Sequence, residues 1–369
     1  MSVRRVALVS PYALSVFGGV QEQVLAMARE LERRGTSVLI LAPDERDHAR
    51  YDVAGEVERF GPLLSIRANG SRAPLTLSPR AARAAREAAR AFKPDVIHFH
   101  EPFAPLIGWS LLRAHEVAAV ATFHRSGSGP AFTLTKPLLR SLAKGLDVAS
   151  AVSDAAATTI RDATGIVADV LFNGFETERF VEWPRERSRE IVVLSVGRLE
   201  ERKGTAVAIE AVRAHNARGL EQWRLVVIGE GPERAKLEAL AAHDEMINFV
   251  GGVDDHEKRR WLRRANVLVA PATRGESFGL IILEAMASEA LVVASDIPGY
   301  REAAGGHAEL FEPANPLQLE RAIEHALASE TSDRIGDARA HAEHWSMRQL
   351  VSEYETRYDV ARRIYAERG

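Results

Sequence analysis

Short apolar runs, rich in β-branched residues, alternate along this chain with longer segments of helical periodicity. In segment 20–34 the apolar positions recur every three or four residues, which predicts an amphipathic helix. The predicted strands are apolar throughout, and such strands alternating with helices indicate parallel sheets covered on both faces. The strands fall into two series: 3–10, 37–42, 95–99, 118–123 and 148–152, followed by 191–196, 225–228, 248–250, 267–270 and 292–295.

Two such series predict an α/β protein with two doubly wound domains, 1–175 and 191–346. Between them, segment 176–190 is polar, contains Pro184 and lacks an apolar period, so we expect a linker there. Ligands of doubly wound sheets bind beyond the carboxyl ends of the strands, and two facing domains of this kind hold them in the cleft between. We therefore expect the functional residues in the loops that follow the strands.

The 369 residues are 46% hydrophobic and 27% charged, as in an ordinary soluble globular protein. The absence of cysteine excludes disulfides, thiolate metal sites and cysteine nucleophiles, and it fits a reducing cytoplasm. No run of 18 apolar residues is present, and the first apolar run is too short for a signal peptide, so we expect a cytoplasmic protein without membrane spans. The net charge of −3 excludes binding to nucleic acid through bulk positive charge.

The basic residues are unevenly distributed, because segment 60–144 contains 12 basic and 4 acidic residues in a chain that is acidic overall. On an anionic membrane each basic residue contributes about 1 kcal/mol of attraction. We expect the basic face of an alanine-rich helix in this segment to lie on such a membrane, and a solvated helix face is the alternative. That face carries residues at spacings of three and four: Arg80, Arg83, Arg86, Arg90 and Lys93.

Two loops of the first series carry candidate binding groups. Gly18 and Gly19, between the first strand and the first helix, allow backbone amides to approach an anion at the helix N-terminus. His124 directly follows a predicted strand, so it is a candidate to hydrogen-bond a substrate hydroxyl or to act as an acid or base. His98 and His100 lie on one face of a strand without a third ligand at suitable spacing, and we therefore expect no metal site.

The loop after the first strand of the second series has the sequence GRLEERKG over 197–204. Its Arg198 and Lys203 are able to converge on one diphosphate, arginine through a planar fork and lysine as a point charge. Because a departing diphosphate gains charge as its bond breaks, fixed cations at this place favour the transition state. The alternative is a solvated loop in which Glu200 and Glu201 neutralise the basic residues.

A further loop and helix, RGESFGLIILEAMA over 274–287, combine two carboxylates with a helix N-terminus. Glu276 lies in the loop, and Glu284 lies two turns further along a nearly apolar helix, where a buried carboxylate requires a partner. This arrangement suits a nucleotide sugar, with one carboxylate on sugar hydroxyls, the helix N-terminus on the phosphates and the other carboxylate on the ribose diol. The amides concerned are those of Ser277, Phe278, Gly279 and Leu280.

These motifs, in this order, resemble the retaining glycosyltransferases of family 4, which have the GT-B fold of two Rossmann-like domains facing a cleft. The resemblance extends over nearly the whole chain. Within the family the chain resembles the phosphatidyl-myo-inositol mannosyltransferases of actinobacteria, through PY at 11–12, GGVQ at 18–21, HFHEPFAP at 98–105, ATFH at 121–124, NG at 173–174 and VDD at 253–255 with Lys258. It also implies a final helix, from about 347 to 369, that crosses back onto the N-terminal domain.

The resemblance implies transfer of a mannosyl group from GDP-mannose to a phosphatidyl-myo-inositol-type lipid. It implies retention at the anomeric carbon, no metal, and a protein held at the inner face of the plasma membrane. His124 would line the reaction centre, and Arg198 and Lys203 would neutralise the diphosphate. The other implied donor contacts are Gly19 and the 277–280 amides with the phosphates, Glu276 with mannose hydroxyls, Glu284 with the ribose, and Asp255 and Lys258 near the guanine.

Departures from the family pattern fall mainly on the acceptor side. Phe17 replaces a usual proline and Gln23 a usual histidine, while basic residues are displaced, with Arg72 and Arg125 as candidate substitutes. In the second domain, Glu289 replaces a common glycine. The positions that the family uses near inositol phosphate are here Tyr12, Gln21 and Asn69.

Alternative interpretations belong to other classes of protein. A dinucleotide oxidoreductase needs G-x-G-x-x-G, but in GEGPER Arg234 replaces the third glycine and Pro232 crowds the turn. A silent sugar-nucleotide- or lipid-binding module would be expected to lose Glu276, Arg198 or Lys203, and all three are present. The alternative that stays open is another family 4 hexosyltransferase, using a GDP- or UDP-sugar with a different lipid-linked or small acceptor.

Overall fold

The computed structural model describes residues 3–15, 18–44, 55–68, 71–104, 106–114, 116–125, 135–185, 190–276 and 278–368, with only the backbone for 65–68 and 71–73. The chain divides into two compact units. The first unit joins Met1–Phe175 to Met347–Gly369, and the second is Glu176–Ser346. Each unit contains a doubly wound parallel sheet, so the prediction of two Rossmann-like domains is confirmed.

The predicted strands lie close to the observed ones, whereas the short strands at the sheet edges and one hairpin were not predicted. The described strands are β1 (Arg5–Val9), β2 (Ser37–Ala42), β3 (Glu56–Arg59), β4 (Leu64–Ala68), β5 (Ser71–Leu75), β6 (Val96–His100), β7 (Ala118–Phe123), β8 (Val148–Ala151), β9 (Asp169–Val170), β10 (Ile191–Val196), β11 (Trp223–Ile228), β12 (Ile247–Gly251), β13 (Val267–Ala270), β14 (Leu291–Ser295) and β15 (Glu309–Phe311). The described helices are α1 (Gly19–Arg33), α2 (Pro79–Phe92), α3 (Ile107–Ala114), α4 (Lys136–Ala143), α5 (Asp154–Thr164), α6 (Thr205–Ala217), α7 (Arg234–Ala241), α8 (Asp255–Arg264), α9 (Leu280–Ala287), α10 (Pro298–Ala304), α11 (Pro316–Ala328), α12 (Ser332–Glu343) and α13 (Met347–Arg368).

The sheet of the first unit has seven parallel strands in the order β3-β2-β1-β6-β7-β8-β9. The winding runs outward from β1 to β3 and then outward from β6 to β9, so its direction reverses between β1 and β6. At such a switch point the loops after the two central strands diverge and open a crevice at the carboxyl ends. The crevice of this unit is therefore bordered by the loops after Val9 and His100.

The central strand β1 contributes to both faces of this sheet. Val6 and Leu8 belong to one core cluster, with residues of α1 and α13, while Ala7 and Val9 belong to another, with residues of α2 and α3. All four side chains are buried. Because successive strand residues point to opposite faces and helices cover both, all four positions from Val6 to Val9 are apolar.

The hairpin of β4 and β5 lies outside the sheet and pairs antiparallel, with Arg67 opposite Arg72. The Ala13 N–H donates to the Pro74 carbonyl oxygen at 2.9 Å, which attaches the hairpin to the loop after β1. The sequence did not predict these strands because they lack a continuous apolar run and contain a proline, which disfavours a strand.

The final helix α13 packs on the first unit, as the resemblance implied. Gly174 allows its close approach, because a Cβ at this position would lie 3.0 Å from the Cα of Met347. The Asn-Gly motif of the sequence analysis therefore has a packing role. The buried residues of α13 recur at helical spacing: Met347, Leu350, Val351, Tyr354, Tyr358 and Ala361.

The sheet of the second unit has six parallel strands in the order β12-β11-β10-β13-β14-β15. Its winding reverses between β10 and β13, so the loops after Val196 and Ala270 border the crevice of this unit. These loops contain the Arg198–Lys203 segment and the segment leading to Glu276. Parallel pairing of β10 with β13 brings together two sequence motifs that lie about 70 residues apart.

The beginning of the expected linker packs on the second unit instead of forming a free connection. Thr177–Phe180 forms a turn of 3₁₀ helix. The buried Arg259 of α8 donates from Nη1 to the Arg179 carbonyl oxygen (2.9 Å) and pairs with Glu182 (2.7 Å). Buried guanidinium groups need such acceptors, which is why this polar segment is held in place.

Candidate active site

In the first unit, His124 forms a pair with a second histidine at the end of the neighbouring strand. Its Nε2 lies 3.0 Å from Nδ1 of His100, and the two rings stack. Burial lowers the pKa of His124 to about 4 and holds the pKa of His100 well below its ordinary value. Both rings are therefore neutral near pH 7, and His124 is a neutral hydrogen-bonding group there, with Nε2 engaged by His100.

Glu101 fixes the backbone on which His124 stands. Its carboxylate accepts the backbone N–H groups of His124 and Arg125, and its own backbone is in the left-handed region at φ +48°. Burial raises the pKa of Glu101, while these two hydrogen bonds and Arg125 oppose the rise. Glu101 was not among the site residues predicted from the sequence, although its position directly after β6 indicates a place at the end of the sheet.

His98 has a structural role in the core of the first unit. Its Nδ1 lies 2.8 Å from the Tyr358 hydroxyl and its Nε2 2.7 Å from Thr122 Oγ1, so both ring nitrogens are engaged. Thr122 Oγ1 in turn lies 2.6 Å from the Tyr354 hydroxyl. This buried network joins α13 to β6 and β7, directly beneath the His100–His124 pair.

The loop after β1 places two predicted residues at the start of α1. Gly18 is the N-cap residue, and a Cβ on it would lie 2.5 Å from Gln21 Oε1, whereas a Cβ on Gly19 would have open space. The buried Gln21 donates from Nε2 to the Ala13 carbonyl oxygen at 3.3 Å. Among the described residues, Gly19 thus leaves open space at the start of α1, and an anion at a helix N-terminus needs such space.

Other acceptor-side predictions lie close to this loop or outside the described residues. Burial and the carboxylate of Glu101 raise the pKa of Tyr12, and Arg125 opposes this, so these three groups are neighbours in the first unit. Gln23, at the position of a usual histidine, is buried and donates from Nε2 to the Gly174 carbonyl oxygen at 2.6 Å. Asn69 and the side chain of Arg72 lie outside the described residues, and Arg72 is placed by its backbone in β5.

In the second unit, Glu276 accepts two cations. Lys203 Nζ and Arg202 Nη1 each lie 2.7 Å from its Oε1, and Arg202 also donates to the Gly275 carbonyl oxygen at 3.1 Å. The Glu276 side chain is 14% exposed, so the cluster is largely shielded from solvent. Arg202 was not among the residues predicted from the sequence, although it immediately precedes Lys203.

Gly204 makes the meeting of these two loops possible. Its backbone is in the left-handed region at φ +68°, and a Cβ on it would lie only 1.9 Å from the Pro271 carbonyl oxygen. No other residue allows this close approach of the loop after β10 to the end of β13. The Thr273 N–H also donates to the Arg202 carbonyl oxygen at 2.8 Å, which holds the two loops in register.

Arg198 is connected to this cluster through a carboxylate. Its Nε lies 3.1 Å from Glu200 Oε1, and Arg202 Nε lies 3.0 Å from Glu200 Oε2. Arg198 and Lys203 therefore stand at the two ends of a chain of alternating charges. The Arg198 side chain is 72% exposed and can reach a ligand at little cost in lost contacts.

The N-terminus of α9 follows Glu276 and is shaped by Gly279. This residue is at φ +93°, and a Cβ on it would lie 2.5 Å from Cδ1 of Tyr300. Phe278 packs its ring against Trp345 at 4.5 Å between centroids, and α9 begins at Leu280. Ser277 lies outside the described residues.

The buried Glu284 has the partner that its apolar helix required. Lys258 Nζ lies 3.0 Å from Glu284 Oε1 and 3.3 Å from Asp255 Oδ1. Desolvation lowers the pKa of Lys258, but the two carboxylates outweigh it and raise this pKa above its ordinary value. Desolvation alone would raise the pKa of Asp255. Three neighbouring cations outweigh this effect and lower the pKa: Lys258, Arg179 and Arg259. The predicted ribose and base residues thus form one connected cluster.

Glu289 shows why the family commonly has glycine at its position. Its backbone is in the left-handed region at φ +60°, which costs a residue with a Cβ about 1–2 kcal/mol. Its carboxylate accepts from the buried Arg263 at 2.8 Å and from Arg339 at 3.0 Å. The side chain thus offsets a strained backbone by neutralising a buried guanidinium.

The predicted basic face lies on α2, with the helix capped by Ser78 and its alanines buried against the first unit. Arg80 and Arg83 are exposed and Arg86 is half-buried. Arg83 pairs with Glu87 at 2.9 Å, and Arg90 Nε lies 2.8 Å from Glu116 Oε2. Two of the four arginines of this face, Arg83 and Arg90, are therefore paired with carboxylates. In the described part of the chain, no helix combines the length and apolar character that crossing a membrane requires.

Comparison with known proteins agrees with the resemblance seen in the sequence. The family model "Glycosyltransferase Family 4" matches residues 17–179, and "Glycosyl transferases group 1" matches residues 176–342. The phosphatidyl-myo-inositol mannosyltransferase of Mycobacterium tuberculosis H37Rv is 33% identical over 378 residues, covering 95% of this chain and 97% of that protein. The protein of the same name from Propionibacterium freudenreichii is 30% identical over 381 residues, covering 98% and 96%.

Solved structures share the fold at lower identity. A glycosyltransferase from Rickettsia africae has a TM-score of 0.74 at 17% identity, covering 97% of this chain and 98% of its own. Anabaena HepE, in complex with UDP and glucose, has a TM-score of 0.65 at 20% identity, covering 96% and 99%. The chain is therefore a glycosyltransferase that belongs to family 4, has the GT-B fold and is similar to the phosphatidyl-myo-inositol mannosyltransferases of actinobacteria.

Proposed function

We propose that this glycosyltransferase moves a mannosyl group from GDP-mannose to a phosphatidyl-myo-inositol-type lipid, with retention at the anomeric carbon, at the cytoplasmic face of the membrane. The observation that carries the proposal is the 2.7 Å ion pair of Lys203 with Glu276, a candidate diphosphate cation beside a candidate sugar carboxylate. The 33% identity to a named mannosyltransferase over 95% of the chain supports the choice of substrates. No metal or other cofactor is required.

In this proposal the donor diphosphate replaces carboxylates as the partner of two cations. Lys203 leaves Glu276 and pairs with phosphate oxygens of the donor. The exposed Arg198 leaves Glu200 and pairs with the same diphosphate. Glu276 keeps Arg202 as its partner, so it stays oriented while it accepts hydrogen bonds from mannose hydroxyls. Because the diphosphate gains charge as its bond to the sugar breaks, both cations stabilise the transition state more than the bound donor.

The nucleoside end of the donor is assigned to the second cluster. The backbone N–H groups at the start of α9 (Phe278, Gly279, Leu280) would complete the phosphate site, and Gly18 and Gly19 would add amides at the start of α1. Glu284, held in place by Lys258, would accept hydrogen bonds from both hydroxyls of the ribose. Asp255 would face the guanine, whose adjacent N–H donors suit a carboxylate acceptor.

The acceptor end of the reaction is assigned to the first unit. His124 is neutral near pH 7 and offers a ring nitrogen to substrate hydroxyls without adding charge. In a front-face mechanism the leaving diphosphate itself takes the proton of the attacking hydroxyl, so no carboxylate base is needed. Tyr12, Gln21 and Arg125 would contact the inositol phosphate, and the predicted contribution of Asn69 and Arg72 remains part of this proposal.

The basic face of α2 is proposed to hold the protein on anionic lipid, which brings the active site to its lipid acceptor. Arg80 and Arg83 lie exposed on it, and the alanines beneath them are buried, so the attachment is electrostatic and adds little inserted apolar surface.

A second candidate function is hexosyl transfer from a GDP- or UDP-sugar to another lipid-linked or small acceptor. It is favoured by Gln23, whose amide is committed to the Gly174 carbonyl oxygen where the family usually has histidine. Such a change affects the acceptor side and leaves the donor clusters intact.

The two functions are separated by a transfer assay with radiolabelled GDP-mannose and UDP-glucose against phosphatidylinositol, other phospholipids and free inositol phosphates. We expect label in phosphatidylinositol from GDP-mannose, none with Glu276→Ala, and near-normal transfer with Glu201→Ala, an exposed carboxylate of the neighbouring loop that contains Lys203. GDP should raise the melting temperature of wild type and Glu276→Ala alike. Transfer from UDP-glucose, or to another acceptor only, would reject the first function in favour of the second.

A further inference from the structure

A group of metal-ligating side chains lies on α6 and α11 of the second unit, away from the loops at the strand ends. His215 is close to the last turn of α6, and Glu320 and Glu324 are one turn apart on α11. One ligand atom of each lies within 4.8 Å of the others. His215 and Glu320 are 4% and 2% exposed, so this is not a group of solvated surface charges.

The hydrogen bonding of His215 determines which ring nitrogen is available. Its Nε2 lies 3.0 Å from the Glu221 carbonyl oxygen, and because a carbonyl only accepts, Nε2 carries the proton. In the neutral ring, Nδ1 therefore presents a lone pair. Among the described residues, this buried Nδ1 has no hydrogen bond of acceptable geometry. Metal-ligating histidines usually donate their other N–H to a carbonyl or carboxylate in this way.

The ring itself is held rigidly. It stacks on Trp223 with 3.5 Å between centroids and an interplanar angle of 6°. Asn216 exchanges two hydrogen bonds of 2.9 Å with the backbone of Trp223, which fixes the end of α6 to the start of β11. The His215 ring is therefore already in position to act as a metal ligand before any cation binds.

The lone pair of His215 faces two carboxylates. Its Nδ1 lies 3.3 Å from Glu324 Oε1 and 3.7 Å from Glu320 Oε1. In a tetrahedral zinc site with bonds of about 2.0–2.1 Å, neighbouring ligand atoms are about 3.3–3.4 Å apart. A lone pair against carboxylate oxygens at this separation is unfavourable unless a cation or a proton lies between them.

Arg218 supplies positive charge to the carboxylates but not to the histidine. Its Nη1 lies 2.6 Å from Glu320 Oε1 and 3.2 Å from Glu324 Oε1. A guanidinium has no acceptor and shares the carboxylates without satisfying Nδ1 of His215. The Arg218 side chain is 52% exposed, so it can turn into solvent when another cation takes its place.

We propose that His215, Glu320 and Glu324 form a binding site for a divalent transition-metal ion of the zinc class, and that Arg218 holds the two carboxylates while the metal is absent. One imidazole with two carboxylates suits zinc, whereas magnesium prefers an all-oxygen octahedron. A bound metal ion connects the end of α6 to α11 through these ligands. The site is independent of the proposed function, although α6 begins directly after the loop that contains Lys203.

The experiment uses the full chain, stripped with EDTA and titrated with Zn²⁺ in a calorimeter, with Co²⁺ absorption as a second readout and Mg²⁺ for comparison. We expect one Zn²⁺ per chain at this site, a visible Co²⁺ band, and a rise in melting temperature with Zn²⁺ but not with Mg²⁺. Glu324→Gln, at the least buried ligand, should weaken binding at least tenfold. His325→Gln, next to it on α11 and 67% exposed, should bind as wild type does.

Arg218→Met separates a metal site from a simple cluster of ion pairs. If Arg218 competes with the metal, its removal should tighten Zn²⁺ binding several-fold. Failure of both wild type and Arg218→Met to bind Zn²⁺, or binding that Glu324→Gln and His215→Gln leave unchanged, would overturn the proposal. In the first case His215 carries a proton on Nδ1 and pairs with the carboxylates instead.

Discussion

Arg202 Nη1 and Lys203 Nζ lie at the same distance, 2.7 Å, from one carboxylate oxygen of Glu276. Two adjacent cations on one carboxylate would allow one of them to leave for a ligand while the other keeps the carboxylate in place. This relationship gives Arg202 a role that differs from that of Lys203.

We expect Arg202→Gln to lower kcat about tenfold and to leave GDP affinity nearly unchanged, because Glu276 would lose its orientation once Lys203 binds phosphate. Lys203→Gln should instead weaken GDP binding, since a direct cation of the diphosphate is removed. Steady-state kinetics and GDP titrations on both variants distinguish the two roles. Arg202→Lys should recover part of kcat, and an equal loss of GDP affinity in both variants would contradict a positioning role.

Lys258→Met should destabilise the protein by about 2 kcal/mol, because it leaves the carboxylate of Glu284 buried without a cation. GDP binding should weaken as well, since Glu284 would no longer be held as a ribose acceptor. Lys236→Met removes a lysine that is 74% exposed and pairs with Glu233, and it should leave the free energy of unfolding nearly unchanged because water screens an exposed ion pair. Urea unfolding of wild type, Lys258→Met and Lys236→Met measures these effects. Equal losses of stability in the two variants would contradict the burial of Glu284 beside Lys258.

The buried histidines of the first unit should make stability depend on pH. Burial lowers the pKa of His98 to about 3 and that of His124 to about 4, so the folded chain keeps them neutral while the unfolded chain takes up protons below about pH 6.5. Stability is then fully present above pH 6.5 and is lost as pH falls toward 4, by about 1.4 kcal/mol per pH unit for each histidine.

Urea unfolding at several values between pH 7 and 4.5 measures this loss. His124→Gln should reduce the slope by the share of one proton. A slope that His124→Gln does not alter would mean that His124 is protonated in the folded protein.

Substitutions of Glu289 separate the cost of its left-handed backbone from the stabilisation that its ion pairs provide. Glu289→Ala keeps the left-handed backbone and leaves the buried Arg263 without its carboxylate, so we expect a loss of about 2–3 kcal/mol. Glu289→Gly loses the same pairs but relieves the backbone, and it should be more stable than the alanine variant by about 1 kcal/mol. Thermal unfolding of both variants gives the difference, and equal stabilities would show that the backbone at 289 is unstrained.

The two ends of the α2 basic face should contribute unequally to membrane binding. Arg80 is exposed, whereas Arg90 is paired with Glu116, so Arg80→Ala should weaken binding to anionic vesicles about fivefold and Arg90→Ala less. Vesicle co-sedimentation at low and high salt measures the effect, with neutral vesicles as the control. Binding that is insensitive to salt or to anionic lipid would support the solvated-face alternative.

By itself, the sequence determined the two doubly wound domains and the loops in which the candidate site residues lie. Parallel strands covered on both faces must be apolar at every position, as Val6 to Val9 show, so their runs stand out without knowledge of the fold. Glu284 was recognised for the same reason, because a carboxylate in an apolar helix must have a partner. The short edge strands were not predicted from the sequence, because their half-exposed residues form no continuous apolar run, as in Glu56–Arg59.

Only the tertiary structure decided which partners these residues have. Glu276 meets Arg202 because β10 and β13 are neighbours in the sheet and Gly204 permits their loops to touch. Lys258 reaches Glu284 from another helix, and His215 faces two glutamates about a hundred residues further along the chain. Charge pairing depends on distances of a few ångströms between elements remote in sequence, and no local periodicity carries that information.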